Sequence, residues 1–219
     1  MLQTIEIETA PNPNAAVIWL HGLGADCHDF EPLVPQIVPR RERAWRFVFP
    51  NAPVRPVTIN GGMGMRAWYD ILGFDRLAAE DLAGIRDTDA RVAELIGREV
   101  ERGIPAGRIV LAGFSQGGAV SLYTGLRYPE RLAGILALSC YLPLAGSLAA
   151  ERASANAGVP IFMAHGLDDG VLPISMGLSS RELLKAHGFG VEWHQYRMAH
   201  SVCQPEVADI REFLLRVLP

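Results

Sequence analysis

Short apolar, β-rich runs alternate with longer stretches of helical period along this chain, an alternation that builds a mostly parallel sheet covered by helices on both faces. The expected strands are Ala16 to His21, Arg46 to Phe49, Arg108 to Gly113, Gly134 to Ser139, Ile161 to Ala164 and Val191 to Tyr196, with Gln3 to Glu8 as an added edge. Between them Leu82, Ile85, Val92, Leu95, Ile96 and Val100 recur at helical spacing, which predicts a helix over Glu80 to Arg102 that ends before Gly103. Further helices are expected over Gln116 to Tyr128, closed by Pro129, over Ser175 to His187, and over Glu206 to Leu218 after Pro205. Pro50 to Arg66, rich in Pro and Gly, reads as one long irregular segment, and such loops are usually functional or mobile. A length of 219 residues suffices for one substantial core, so residues 1–219 are read as a single α/β domain.

Charge and cysteine usage exclude several classes of function. The formal charge is −4, and the 20 Lys and Arg are scattered, their longest cluster being Arg40-Arg41-Glu42-Arg43, so nothing tracks a phosphate backbone and nucleic acid is not an expected partner. Cys27, Cys140 and Cys203 are too few and too dispersed for a disulfide framework or a CxxC motif, which points to a reducing, cytoplasmic setting. Met1 to Glu6 has neither the basic start nor the apolar run of a secretory signal. Leu132 to Ala150 carries no charge over 19 residues, but Gly134, Pro143 and Gly146 divide it into a strand, a turn and a helix start, so no transmembrane segment is expected.

The chemistry-bearing motif is Ile109-Val110-Leu111-Ala112-Gly113-Phe114-Ser115-Gln116-Gly117-Gly118-Ala119-Val120, an apolar strand, a GxSxG turn and an apolar helix. The bare pattern is weak evidence, since a Gly-rich strand-to-helix loop can merely turn or hold a phosphate. Its context makes it a nucleophile elbow, in which small neighbours let the chain pass sharply and leave the Ser115 hydroxyl above the sheet. A serine hydroxyl needs a base, and the base needs an orienting group. Both are found at later strand ends: His165-Gly166-Leu167-Asp168-Asp169 follows one strand, and Arg197-Met198-Ala199-His200 follows the next. The chain order Ser, Asp, His is that of α/β-hydrolases. Among the 6 histidines, His194 lies inside a strand, His187 ends a helix, His28 precedes the serine and His165 supports the acidic turn, whereas His200 lies on a loop after the acid and just before the last helix, which makes it the expected base. Pattern alone does not choose between Asp168 and Asp169.

His21-Gly22-Leu23-Gly24, after the first interior strand, is the loop from which this fold draws a second oxyanion donor, making the Leu23 N–H the candidate beside the Gln116 N–H. Met63, Met65, Trp68, Tyr69, Ile71, Leu72, Tyr141, Leu142, Val171 and Leu172 are apolar residues in or beside expected loops. Some belong to the core, and the acyl pocket is expected from Trp68, Met65, Ile71, Leu72, Tyr141, Leu142, Val171 and Leu172. Gly61-Gly62-Met63-Gly64 lacks dinucleotide-site spacing. His21, Asp26, His28 and Asp29 have no established metal spacing, so neither metal nor cofactor is expected.

Over nearly its whole length the chain resembles the phospholipase/carboxylesterase family, which includes acyl-protein thioesterases and bacterial carboxylesterases. The resemblance is carried, in order, by His21-Gly22-Leu23-Gly24, Arg66-Ala67-Trp68-Tyr69-Asp70, Gly113-Phe114-Ser115-Gln116-Gly117-Gly118, His165-Gly166-Leu167-Asp168-Asp169 and His200-Ser201-Val202. It implies a triad of Ser115, Asp169 and His200, with the acid at the fifth position of the HGxxD loop, oxyanion donors at Leu23 and Gln116, and an acyl-channel wall around Trp68. It also implies an α/β-hydrolase with no large lid domain and, as in some cytosolic members, a homodimer. The expected substrate is an acyl ester or thioester, on a small alcohol, a lipid or an acylated protein. The competing class is a non-catalytic module that keeps the fold to hold an acyl ligand.

Overall fold

The computed structural model describes residues 2–38, 43–73 and 80–219; Arg40, Arg41 and Glu42 of the basic cluster lie outside them. In chain order the elements are β1 (Thr4–Glu8), β2 (Ala15–Leu20), α1 (Val34–Ile37), β3 (Trp45–Pro50), β4 (Val54–Val57), β5 (Met63–Arg66), α2 (Leu82–Glu101), β6 (Ile109–Phe114), α3 (Gln116–Arg127), β7 (Gly134–Leu138), α4 (Leu148–Glu151), β8 (Ile161–Gly166), α5 (Ile174–Ala186), β9 (Val191–Tyr196) and α6 (Gln204–Val217). Seven strands form one sheet in the order β1-β3-β2-β6-β7-β8-β9, parallel throughout except for β1 against β3.

The strands β2, β3, β7 and β8 are buried along their whole length, which is why they read as largely apolar runs, broken only by Arg46 in β3 and His165 in β8. Alternate residues serve opposite faces. Ala16, Ile18 and Leu20 of β2 join a core with Ile85, Val92 and Leu95 of α2 and Ala119 and Leu122 of α3. Val17 and Trp19 join a second core with Val34 and Ile37 of α1 and Ile210, Phe213 and Leu214 of α6. Each fully buried side chain of this kind contributes about 1.5–3 kcal/mol relative to exposure.

Helix limits follow local chemistry. The Asp81 side chain accepts from the Gly84 N–H, so α2 starts at Leu82 rather than at Glu80. Beyond its end Gly103 turns the chain with a φ of 95°. Tyr128, before Pro129, is extended and stops α3.

The segment Pro50 to Arg66 is not one irregular loop, as the sequence suggests, but contains the β4–β5 hairpin, with Val54 paired to Arg66 and Val57 to Met63. Its turn uses Gly61 and Gly62 at φ 66° and 78°. Pro56 is tolerated because a two-stranded ribbon has outer edges that need no donor, and the same Pro and Gly residues hide the strand period in the sequence. Leu132 to Ala150 resolves into β7, a turn and α4, and among the described residues no helix is long and apolar enough to cross a membrane.

The chain leaves β2 toward β3 on one side and returns through α2 to β6 on the other. The loops after β2 and β6 therefore diverge, opening the crevice where open α/β sheets bind ligands. On the β1 side the sheet is tied to α2 by the fully buried Glu99. Its carboxylate accepts from Arg46 Nη1 at 2.6 Å and from Arg102 Nη1 at 2.9 Å, while Arg46 also reaches Glu8 at 2.9 Å. Removing one partner of a buried pair strands the other. Glu99→Ala is expected to cost about 3 kcal/mol, lowering Tm by roughly 6–12 °C for a domain of this size; calorimetry of the variant checks this, and an unchanged Tm would refute it.

Candidate active site

Ser115 stands at this crevice, between the end of β6 and the start of α3, with φ 54° and ψ −120°. A non-glycine residue in such a conformation is strained, and its surroundings hold it there. Its N–H donates to the Leu138 carbonyl at 2.8 Å and its carbonyl accepts from Ala119 at 3.0 Å. A Cβ at Gly113 would lie 2.3 Å from the Gly117 carbonyl, and one at Gly117 would lie 2.3 Å from the Leu20 oxygen. The turn therefore excludes side chains at both glycines, and the serine hydroxyl is left facing outward.

The loops after β8 and β9 meet across it. The Leu167 N–H donates to the Tyr196 carbonyl at 2.8 Å and the Asp168 N–H to the Met198 carbonyl at 3.1 Å. A Cβ at Gly166 would come within 2.4 Å of the Met198 and Ala199 oxygens, so glycine is what permits this approach. His200 is thereby brought to Ser115, with Nε2 2.9 Å from Oγ and Nδ1 2.7 Å from Asp169 Oδ2. The other Asp169 oxygen accepts from the Leu172 and Val171 amides at 2.8 and 3.0 Å. Burial alone would push the Asp169 carboxyl up; the hydrogen bonds from His200, Leu172 and Val171 outweigh it and hold the carboxyl below its ordinary range. Asp168 is exposed to solvent.

Four of the other five histidines are engaged elsewhere, and His187 caps the end of α5. His165 Nε2 bonds the Leu172 carbonyl at 2.8 Å and lies 3.4 Å from Asp169 Oδ2, supporting the acidic turn. His194 stacks on Phe162 with ring centres 4.7 Å apart, and His28 pairs with Glu31 at the surface. His21 accepts the Ala52 N–H on Nε2 at 3.0 Å and bonds the Gly22 carbonyl through Nδ1 at 2.7 Å. That pairing uses an uncharged ring, and burial pushes its pKa down.

Three segments are clamped together beneath the loop after β2. The Trp68 indole N–H donates to the His21 carbonyl at 2.8 Å, and the Trp68 amide donates to Gln116 Oε1 at 2.8 Å. Gln116 Nε2 in turn donates to the Tyr69 carbonyl at 2.7 Å. Among the described residues neither the Leu23 nor the Gln116 backbone N–H has an acceptor; both residues line a cavity of about 220 Å³ that includes Ser115 and His200.

Of the residues expected to form the acyl pocket, Ile71, Tyr141, Val171 and Leu172 line that cavity. Four expected lining residues are found elsewhere. Trp68 and Leu142 are buried in the core, where Trp68 serves as the clamp just described. Met65 lies on β5, its sulfur accepting from Asn60 Nδ2 at 3.3 Å, and Leu72 is 44% exposed. Their apolar character reports packing or surface, which sequence cannot separate from a pocket. The block of lining residues also includes Tyr69, whose hydroxyl lies 3.1 Å from that of Tyr141, together with Gly22, Ala25, Asp29 and Phe114. Position just after β2 marks Gly22 and position directly before Ser115 marks Phe114, whereas Ala25 and Asp29 lie further along the loop with no such signal.

A sequence profile of the phospholipase/carboxylesterase family matches residues 3–218. The chain belongs to that family. As a phospholipase/carboxylesterase member it is a hydrolase, and its α/β-hydrolase sheet carries no large lid domain among the described residues. It is similar to the acyl-protein thioesterase 1 of Neurospora crassa, 44% identical over 94% of this chain and 87% of that one, and of Mycosarcoma maydis, 39% identical over 100% and 98%. The crystal structure of Zea mays acyl-protein thioesterase 2 superposes with a TM-score of 0.87 at 28% identity, covering 100% of both chains.

The His200 loop runs directly into α6, whose first turn contains Glu206. Glu206 is fully buried, and neither carboxylate oxygen has a hydrogen-bond partner among the described residues. Burial pushes its carboxyl up to about 8, with the Cys203 amide offsetting only part of this and Asp209 adding to it. The folded chain thus holds a proton that the unfolded chain releases near 4.5, so stability falls as pH rises between those values. Glu206→Gln should match the parent near pH 4.5 and become more stable than it by pH 8, by a few kcal/mol (~3). Urea unfolding at both pH values measures this, and a pH-independent difference would count against it.

Proposed function

We propose that this protein hydrolyses carboxylic esters or thioesters through an acyl-enzyme on Ser115. The observation that carries the reading is the unbroken hydrogen-bond chain from Asp169 through His200 to the strained Ser115. His200 takes the hydroxyl proton as Ser115 attacks the acyl carbon, and Asp169 keeps Nδ1 protonated so that Nε2 is the free base. The Leu23 and Gln116 amides receive the oxyanion, each such donor contributing about 3 kcal/mol to the transition state. The free Gln116 amide at the start of α3 adds the positive end of the helix dipole. Collapse expels the alcohol or thiol with the proton from His200, and water then repeats the sequence to release the acid.

Residues 1–219 are taken as one catalytic domain, a reading supported by a family match over 3–218 and by a single seven-stranded sheet. The apolar wall of Tyr69, Ile71, Val171 and Leu172 favours a small to medium acyl chain. An acyl thioester on a protein cysteine is the physiological substrate we favour, on the strength of the relatives' names. The three unpaired cysteines fit a reducing, cytoplasmic setting.

Ser115→Ala is expected to lower kcat roughly a millionfold and to abolish labelling by a fluorophosphonate; a parent chain that binds acyl ligand yet takes no label would instead favour a non-catalytic module. Asp169→Asn should retain substrate binding but lose about 10⁴-fold in kcat because the wrong imidazole tautomer is stabilised. A variant with near-parental kcat would remove Asp169 from the mechanism.

A further inference from the structure

Among the described residues, the cavity beside Ser115 has one carboxylate in its wall. Asp29 follows the Leu23 loop and lines the same cavity as Ser115, His200 and Phe114, and no lysine or arginine lines it among the described residues. The Asp29 amide donates to the Asp26 carbonyl at 3.2 Å, but its carboxylate takes part in no hydrogen bond or ion pair among the described residues. Arg66, on the neighbouring β5, is directed away to the Ala52 carbonyl at 3.0 Å. Asp29 is exposed at the cavity wall, and partial desolvation together with the nearby Asp26 pushes its carboxyl up.

The position of Asp29 relative to the reacting atoms identifies which half of the substrate it meets. The departing oxygen or sulfur must take its proton from His200 Nε2, so the leaving group lies on the His200 side. That side is walled by Phe114, whose ring centre is 4.7 Å from that of His200 and 5.7 Å from that of Phe30, the residue after Asp29. Ala25 and Asp29 line the cavity together with Phe114, the surface along which the alcohol or thiol portion would leave. The geometry points to Asp29 as a specificity-determining residue that selects against anionic leaving groups and for cationic ones. This rests on the Ser115 and His200 assignment proposed above and adds to it the charge class of the group released.

The test uses three butyrate esters of similar size: the choline ester, the neutral 3,3-dimethylbutyl ester and the anionic 2-sulfoethyl ester, assayed at pH 8. The expected order of kcat/KM is cation, neutral, anion, with steps of about three- to fivefold, the size of a solvent-exposed charge interaction. Asp29→Asn should draw the three values together, and Asp29→Lys should reverse their order. About 0.5 M NaCl should compress the parent's differences, because screening then acts within a few ångströms. A matched pair charged or neutral at the acyl end should not respond to Asp29→Asn. An order that Asp29→Asn leaves intact, or a response confined to the acyl-charged pair, overturns the inference while the triad assignment stands. Hydrolysis of the neutral ester by Ser115→Ala at the parental rate overturns both.

Discussion

The first turn of α3 rests directly on the carboxyl end of β2. Gly117 meets the Leu20 and His21 carbonyls with no room for a methyl group, and Gly113 meets Gly117 in the same way. This backbone-on-backbone contact sets the angle at which β6 passes into α3, and so the strained conformation of Ser115 between them. It also brings the loop after β2 beside the α3 amides, where both can face one point in the crevice. Side-chain chemistry at the site is arranged around a junction that has no side chains in it.

Three buried carboxylates illustrate how differently the chain treats charge. Asp169 is encircled by donors and held ionised. Glu99 is matched by Arg46, Arg102 and, at 3.5 Å, Arg98, and joins α2 to the β1 edge of the sheet. Glu206 has no such partner and keeps its proton instead. Burial disfavours the charged form at Asp169 and at Glu206, and the donors that surround the first and are lacking around the second decide which charge survives.

Much of this was legible in the sequence, because parallel strands buried on both faces leave long apolar runs, and because Ser115, Asp169 and His200 each follow such a run. The β4–β5 hairpin was hidden, since Pro56, Gly61, Gly62 and Gly64 read as loop although Asn60-Gly61 is itself a hairpin-turn signal. Trp68 illustrates the opposite limit. Its neighbourhood was marked by motif, but whether its ring faces a cavity or the core depends on the His21 carbonyl and the Gln116 side chain, brought to it from residues far away in the chain. Asp29 was visible only as a conceivable metal ligand, because its relation to His200 runs through the packing of Phe30 on Phe114.

The fit of Gly166 beneath Met198 and Ala199, together with the two amide bonds that join the acid and histidine loops, makes those loops a single mechanical part. An insertion in one would pull the other out of alignment, so in descent they must change length together or not at all. The β4–β5 hairpin and the Ala25 to Asp29 stretch carry no such obligation. Divergence toward new acyl donors has room to proceed there, at the rim, without retuning the proton path.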